Sequence, residues 1–148
     1  IEFYQILHER ICLAVPKTHP LVGRKSVSLK ELKEERFVTL ERHLFPSHYD
    51  KIVSKCEQAG FSPNIVAMSN QTDVLLTYVA TGVGIALVAE IIAASWEKDV
   101  AFITLEEVSY VDVHLISNQV SETASVKAFR SVFQEYTAEK YKHSNSLD

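Results

Sequence analysis

Between Asp73 and Glu90 the chain carries no charge, and this run restricts the possible folds more than any other segment. Its length approaches that of a membrane span. Gly82 and Gly84 stand in its middle, however, and β-branched residues follow them. Glycine ends helices readily because it takes the left-handed conformation without a Cβ clash. The run therefore predicts a helix ending at Gly82 and a buried strand over 85–88, in a protein that does not cross a membrane. In a phosphate-cradling loop, glycines follow a strand and precede a helix. Here the order is helix, glycines, strand, so 81–85 is read as a helix cap and a close turn.

The rest of the chain supplies elements to cover that core. Residues 3–7 and 11–15 read as two short strands, ended by Pro16 and Pro20. Ser28, with Glu31 three residues later, has the form of a capping box for a short helix. Residues 36–40 read as a strand. Tyr49, Ile52, Val53 and Cys56 follow helical spacing, which predicts a helix over about 49–59, capped by Ser47 and closed by Gly60. A strand over 64–68 and a helix from about Gln71, capped by Ser69 or Asn70, come next. A short helix over 90–96 and strands over 101–105 and 110–117 follow. In the last strand Val111, Val113 and Leu115 alternate with Asp112 and His114, suggesting one buried and one exposed face. Residues 124–141 form a long amphipathic pattern with Val126, Phe129, Val132, Phe133 and Tyr136 on its apolar side. Strands alternating with helices predict an α/β class with a mostly parallel sheet.

Charge and chemistry narrow the function. The net charge is −4, from 15 basic and 19 acidic residues, whereas a domain living on phosphate contacts is normally basic. Direct nucleic-acid binding by this segment is disfavoured. Cys12 and Cys56 lie on different elements with no CxxC pair, and read as buried small hydrophobes in a reducing compartment. No activated nucleophile is visible, and Glu34–Glu35 and Glu106–Glu107 are adjacent pairs that diverge on regular structure. No catalytic residue and no cofactor is expected. His43, His48 and Asp50 are metal-ligand types on or near one loop, but a zinc site needs three or four convergent ligands, so no metal is expected. What remains is a binding function. The helix beginning near Gln71 offers unpaired N–H groups and the positive end of a dipole. Asn70, Gln71 and Thr72 add neutral donors there, and the loop 41–45 follows a strand nearby. Together they suit a carboxylate with an aromatic or aliphatic body, although ordinary capping accounts for the same residues.

Taken in order, these pieces resemble the effector-binding domain of LysR-type transcriptional regulators. The match runs through Leu13-Ala14-Val15-Pro16, His19-Pro20-Leu21, Val27-Ser28-Leu29-Lys30-Glu31-Leu32 and Phe37-Val38. It continues with Tyr49-Asp50, Cys56, Ala59-Gly60-Phe61-Ser62-Pro63, Gln71-Thr72 and Val79-Ala80-Thr81-Gly82-Val83-Gly84-Ile85-Ala86-Leu87-Val88. Ala89 departs from the family, which commonly places proline there. The resemblance implies a type-2 periplasmic-binding-protein-like fold, two α/β lobes joined by crossover strands with a ligand in the cleft. On that pattern 1–14 holds first-lobe strands and a crossover, and 15–93 is the second lobe. Residues 94–141 return to the first lobe with the C-terminal helix, and 142–148 is a tail. The first lobe is incomplete in this chain, which is similar to the C-terminal part of a regulator. The resemblance further implies a small-molecule effector, an aromatic or other organic acid. DNA contact would come only through an N-terminal winged helix-turn-helix. Self-association as a homodimer or homotetramer in the cytoplasm, with no membrane contact, is also implied. It carries effector contact to Asn70, Gln71 and Thr72, and more loosely to Arg42, His43, Phe45, Pro46 and Asn118. A solute-binding protein of a transport system with the same fold, and an enzyme that has borrowed the fold, stay open.

Overall fold

The computed structural model describes residues 1–118 and 122–144, with side chains through Glu139. Its elements are β1 (Glu2–Pro16), β2 (Ser26–Val27), β3 (Arg36–Leu40), α1 (Pro46–Gln58), β4 (Asn64–Ser69), α2 (Thr72–Ala80) and β5 (Ala86–Ala89). These are followed by α3 (Ala93–Trp96), β6 (Val100–Leu105), β7 (Tyr110–Ser117) and α4 (Ala124–Ser144). Short 3-10 turns occupy Leu29–Leu32 and Glu90–Ile92. Residues 9–110 form one compact unit, and 1–8 with 111–148 form another.

The larger unit is built around the second half of β1. The two short strands expected at 3–7 and 11–15 are one continuous strand of 15 residues. Nothing between them breaks extended structure, because Glu9 and Arg10 alternate faces as any strand residues do. Residues 11–15 are all buried. Ile11, Leu13 and Val15 face one apolar cluster, and Cys12 and Ala14 face the other. β1 lies between β5 and β6 and is antiparallel to both, with Leu13 opposite Leu87 and Ile103. β2 joins the far side of β6 in parallel. The sheet is therefore mixed, not mostly parallel. Alternation of strands and helices says that the connections are helical, but it says nothing about the direction of a strand entering from outside the unit.

β3 and β4 form a parallel pair. Helix α1 lies over one face of β3, where Phe37 packs with Ile52, Cys56 and Phe61. Helix α2 covers the other face, where Val38 and Leu40 meet Leu75, Leu76 and Val79. Both helices end as the glycines foretell. Gly82 has φ +80°, and the N–H groups of Gly82 and Val83 return to the carbonyls of Val79 and Tyr78 at 3.0 and 2.9 Å. Gly60, with φ +95°, closes α1 through the same pair of bonds. Gly84 serves a different end. It lets the chain pass close to β3, so that Val38 N–H bonds to Ile85 C=O and Ile85 N–H to Arg36 C=O, both at 2.8 Å.

The 3-10 turn at Leu29 is held from a distance. Glu31 accepts the Ser28 N–H at 2.9 Å, as the capping pattern implies. The Ser28 hydroxyl and the Leu29 N–H both donate to the Glu107 carboxylate, at 2.6 and 2.9 Å.

In the smaller unit β7 pairs with β1. The alternation expected for β7 is only half realised, because Val113 is exposed. Helix α4 is longer than expected and continues through Ser144, so the proposed tail begins inside it and its last residues, 145–148, lie outside the described residues. Phe129, Val132 and Tyr136 on its apolar side are each about two-thirds exposed (60%, 66% and 63%). Amphipathic spacing marks a face that can be covered but does not require the cover to come from this chain. Among the described residues no helix is long and apolar enough to cross a membrane.

Both cysteines are buried and free. Burial, and secondarily Glu90, pushes the Cys12 thiol up to about 12 from 9.0. Burial, and secondarily Glu57, pushes Cys56 to about 11. A thiol that resists ionisation in the native state releases its proton sooner on unfolding. Stability is therefore expected to hold below pH 9 and to fall as pH rises toward 11–12. A disulfide reagent at pH 8 should leave both thiols untouched until denaturant is added. Rapid labelling of the native protein, followed by absorbance, would refute this.

Candidate functional site

Leu40 and Ser69, the last residues of β3 and β4, stand opposite one another in the parallel pair. The segments that follow the two strands therefore leave from the same edge, where ligands of open α/β sheets bind. The Glu41 N–H donates to the Ser69 C=O at 2.9 Å and ties the two segments together.

Beyond β4, Asn70 and Gln71 are exposed and Thr72 is half-buried. The expected cap at Ser69 or Asn70 is displaced. Gln71 is the N-cap, extended at φ −138° and ψ 140°, and its side chain caps nothing. Its carbonyl accepts the Leu75 N–H at 3.0 Å, the first bond of the helix. The amides of Thr72, Asp73 and Val74 thus have no intrahelical partner and no bond from the cap side chain. Asp73 lies on the same turn, where its charge complements the dipole, and its carboxylate accepts the Trp96 indole N–H at 3.3 Å. Ser69 does something other than cap. Its buried hydroxyl accepts the Gln71 N–H at 3.1 Å and donates to the Gln71 C=O at 2.9 Å.

Beyond β3, Arg42, His43, Phe45 and Pro46 are all exposed. The Arg42 guanidinium faces Asp50 in two contacts, Nε–Oδ1 at 2.8 Å and Nη2–Oδ2 at 3.4 Å. That carboxylate holds Arg42 above its ordinary pKa, by hydrogen bond first and by charge second. His43 Nδ1 lies 3.3 Å from the Glu41 carboxylate. Helix α1 begins at Pro46 with Phe45 as N-cap, three residues before the expected start. Proline fits the first helical position because its missing N–H would have been unpaired and its φ is preset, so Ser47 falls inside the helix. His48 is held below its usual pKa by burial and then by Lys51. With Asp50 turned to Arg42, the His43–His48–Asp50 trio does not converge. Among the described residues no group of metal-ligand side chains does.

The loop and the helix start thus share one edge of one unit. Asn118 belongs to the other unit. There it lines a cavity of about 250 Å³ with Ser117, Glu122, Phe129 and Arg130. Arg130 pairs with Glu122 and stacks over the Tyr4 ring, 5.1 Å from its centre. Sequence pattern picked out Asp50 as a metal-ligand type but missed it as the partner of Arg42. It also overlooked Thr39, one residue inside the sheet edge, whose buried hydroxyl has no partner among the described residues.

A family model described as the LysR substrate binding domain matches residues 1–138. The chain is similar to the HTH-type transcriptional regulator AlsR of Bacillus subtilis (strain 168), 30% identical over 96 residues, 65% of this chain and 32% of that protein. It therefore spans about a third of the length of that curated relative. Among solved structures it resembles CbnR, a LysR family transcriptional regulator, with TM-score 0.79 and 21% identity over 93% of this chain and 47% of that one. The effector binding domain of QuiR in complex with shikimate aligns with TM-score 0.68 and 16% identity, covering 93% and 66%. The BenM effector binding domain with benzoate aligns with TM-score 0.69 and 16% identity, covering 94% and 64%. These similarities carry the two-lobed, periplasmic-binding-protein-like fold expected above.

Proposed function

The chain belongs to the LysR substrate-binding domain family, and from that membership we propose that it is the effector-sensing part of a DNA-binding transcriptional regulator, taking a small organic acid at the shared edge of β3 and β4. The observation that carries this reading is the pairing of the uncapped α2 start with the loop after β3, joined by the Glu41–Ser69 bond. Free amides and the dipole of α2 attract a carboxylate without a permanent positive charge, which suits a chain of net charge −4. Phe45, 38% exposed, and Leu44, 50% exposed, supply apolar surface for the body of the ligand. Benzoate and shikimate, bound by BenM and QuiR, both join a carboxylate to a six-membered ring. The role is sensing, with no catalysis, and the relatives described above are regulators, so transport is not favoured. DNA contact falls to a winged helix-turn-helix in another part of the protein, which works in the cytoplasm as a homodimer or homotetramer. Residues 15–93 correspond to the second lobe, and 1–14 with 94–141 to the first.

Calorimetry with benzoate and shikimate tests the site. Thr72→Val keeps the shape and removes one hydroxyl donor. It is expected to weaken binding by about 1–3 kcal/mol, the loss of a hydrogen bond to a charged group, with stability unchanged. If Thr72→Val and Gln71→Ala both bind as tightly as wild type, the α2 start is not the site and the loop 42–46 becomes the leading alternative.

A further inference from the structure

Resting on that reading of the site, we infer that Ser69 is its positioning residue: it does not meet the effector but fixes both pieces that do, the α2 start through its hydroxyl and the loop after β3 through its main-chain carbonyl. Ser69 is only 4% exposed, so it is placed to act through its neighbours. Three bonds converge on it. Its hydroxyl accepts the Gln71 N–H at 3.1 Å and donates to the Gln71 C=O at 2.9 Å. Its own carbonyl accepts the Glu41 N–H at 2.9 Å.

The two hydroxyl bonds grip the two peptide groups that flank one Cα. They leave the N-cap residue little freedom in φ or ψ. The Gln71 carbonyl they hold is the same one that accepts the Leu75 N–H and opens α2, so its direction sets where the amides of Thr72, Asp73 and Val74 point. The third bond holds the first residue of the loop that carries Arg42 and Phe45. One buried residue thus sets the spacing between the anion-facing amides and the ring-facing loop. A serine suits the task because its hydroxyl is donor and acceptor at once, and its burial limits competition from water.

The test compares three variants by calorimetry with benzoate and shikimate, and by amide hydrogen exchange without ligand. Ser69→Ala is expected to lose about tenfold in affinity, the worth of a misplaced hydrogen-bond donor. Ser69→Thr keeps the hydroxyl and should restore affinity. Ile103→Val trims the apolar cluster that α2 does not share and should lower Tm while leaving affinity in place. A purely structural Ser69 would instead make affinity follow Tm across all three, and that result overturns the inference. If the wild-type protein takes up neither acid, the proposed effector class fails, and exchange decides the role of Ser69. Faster exchange at Gln71, Leu75 and Glu41 together in Ser69→Ala supports it. Exchange that changes at Gln71 alone overturns it.

Discussion

Replacing Leu13 with alanine is expected to lower the unfolding free energy by about 2–5 kcal/mol, the range for truncating a buried leucine. Leu13 is fully buried on the central strand of the larger unit. The removed methyl and methylene groups lose their transfer energy, and the space they leave adds a cavity term. The upper half of the range is favoured here because the surroundings cannot close in. β1 is laddered to β5 at Leu87 and to β6 at Ile103, so moving inward would break bonds on both sides. Domains of this kind are stable by about 5–15 kcal/mol, so the loss is a large share of the whole. Urea unfolding should show a lower midpoint with an unchanged slope. A loss under about 1 kcal/mol would mean that β1 is not central to the packing.

Gly84→Ala should also destabilise, for a reason of space and not of backbone angle. A Cβ at Gly84 would stand 2.6 Å from the Arg36 carbonyl oxygen and 3.1 Å from its carbon. Both belong to backbone, which cannot turn aside as a side chain can. Relief requires β5 to withdraw from β3, and that stretches the two 2.8 Å bonds joining Ile85 to Arg36 and Val38. Overpacking of this kind costs about 1–3 kcal/mol. Gly82 offers the contrast, since nothing lies within 4 Å of its Cβ position but its φ is +80°. Alanine there pays only a left-handed penalty of about 1–2 kcal/mol. The distinguishing measurement is amide exchange at Ile85 and Val38, which should rise in Gly84→Ala and stay slow in Gly82→Ala. If Ile85 remains protected in Gly84→Ala, the close approach of the two strands is not what the glycine is for.

The legible parts of the fold were those written in local chemistry. Gly60 and Gly82 announced helix ends because only glycine takes φ near +90° cheaply. The uncharged run from Val74 to Ala89 split into α2 and β5 as its glycines required. Less legible was anything set by distant partners. The direction of β1 depends on strands more than 70 residues downstream. The apolar side of α4 was visible as a pattern, but its exposure was not. At the candidate site, spacing pointed to the α2 start and to the loop after β3, yet could not say that the two share an edge. That follows from the parallel register of Leu40 and Ser69. The Arg42–Asp50 pair was not legible, because Asp50, eight residues on, lies on α1 and reaches Arg42 through the helix.

The turn at Ser28 illustrates how little a short element can remember by itself. Its lasting cap is the Glu107 carboxylate, 78 residues from Leu29. Cut out as a peptide, the segment would keep only Glu31, and a single 3-10 turn with one local bond has no stability of its own. The turn therefore depends on the bend after β6 that carries Glu107, and the dependence is acid-sensitive. Burial works against the Glu107 charge, but the bonds from Ser28 and Leu29 outweigh it and hold this carboxyl below its usual pKa. The clamp therefore contributes stability above the ordinary glutamate range and surrenders it as pH falls through the depressed value. Once pH falls through that depressed value, this corner of the unit would loosen and release slack between β2 and β3.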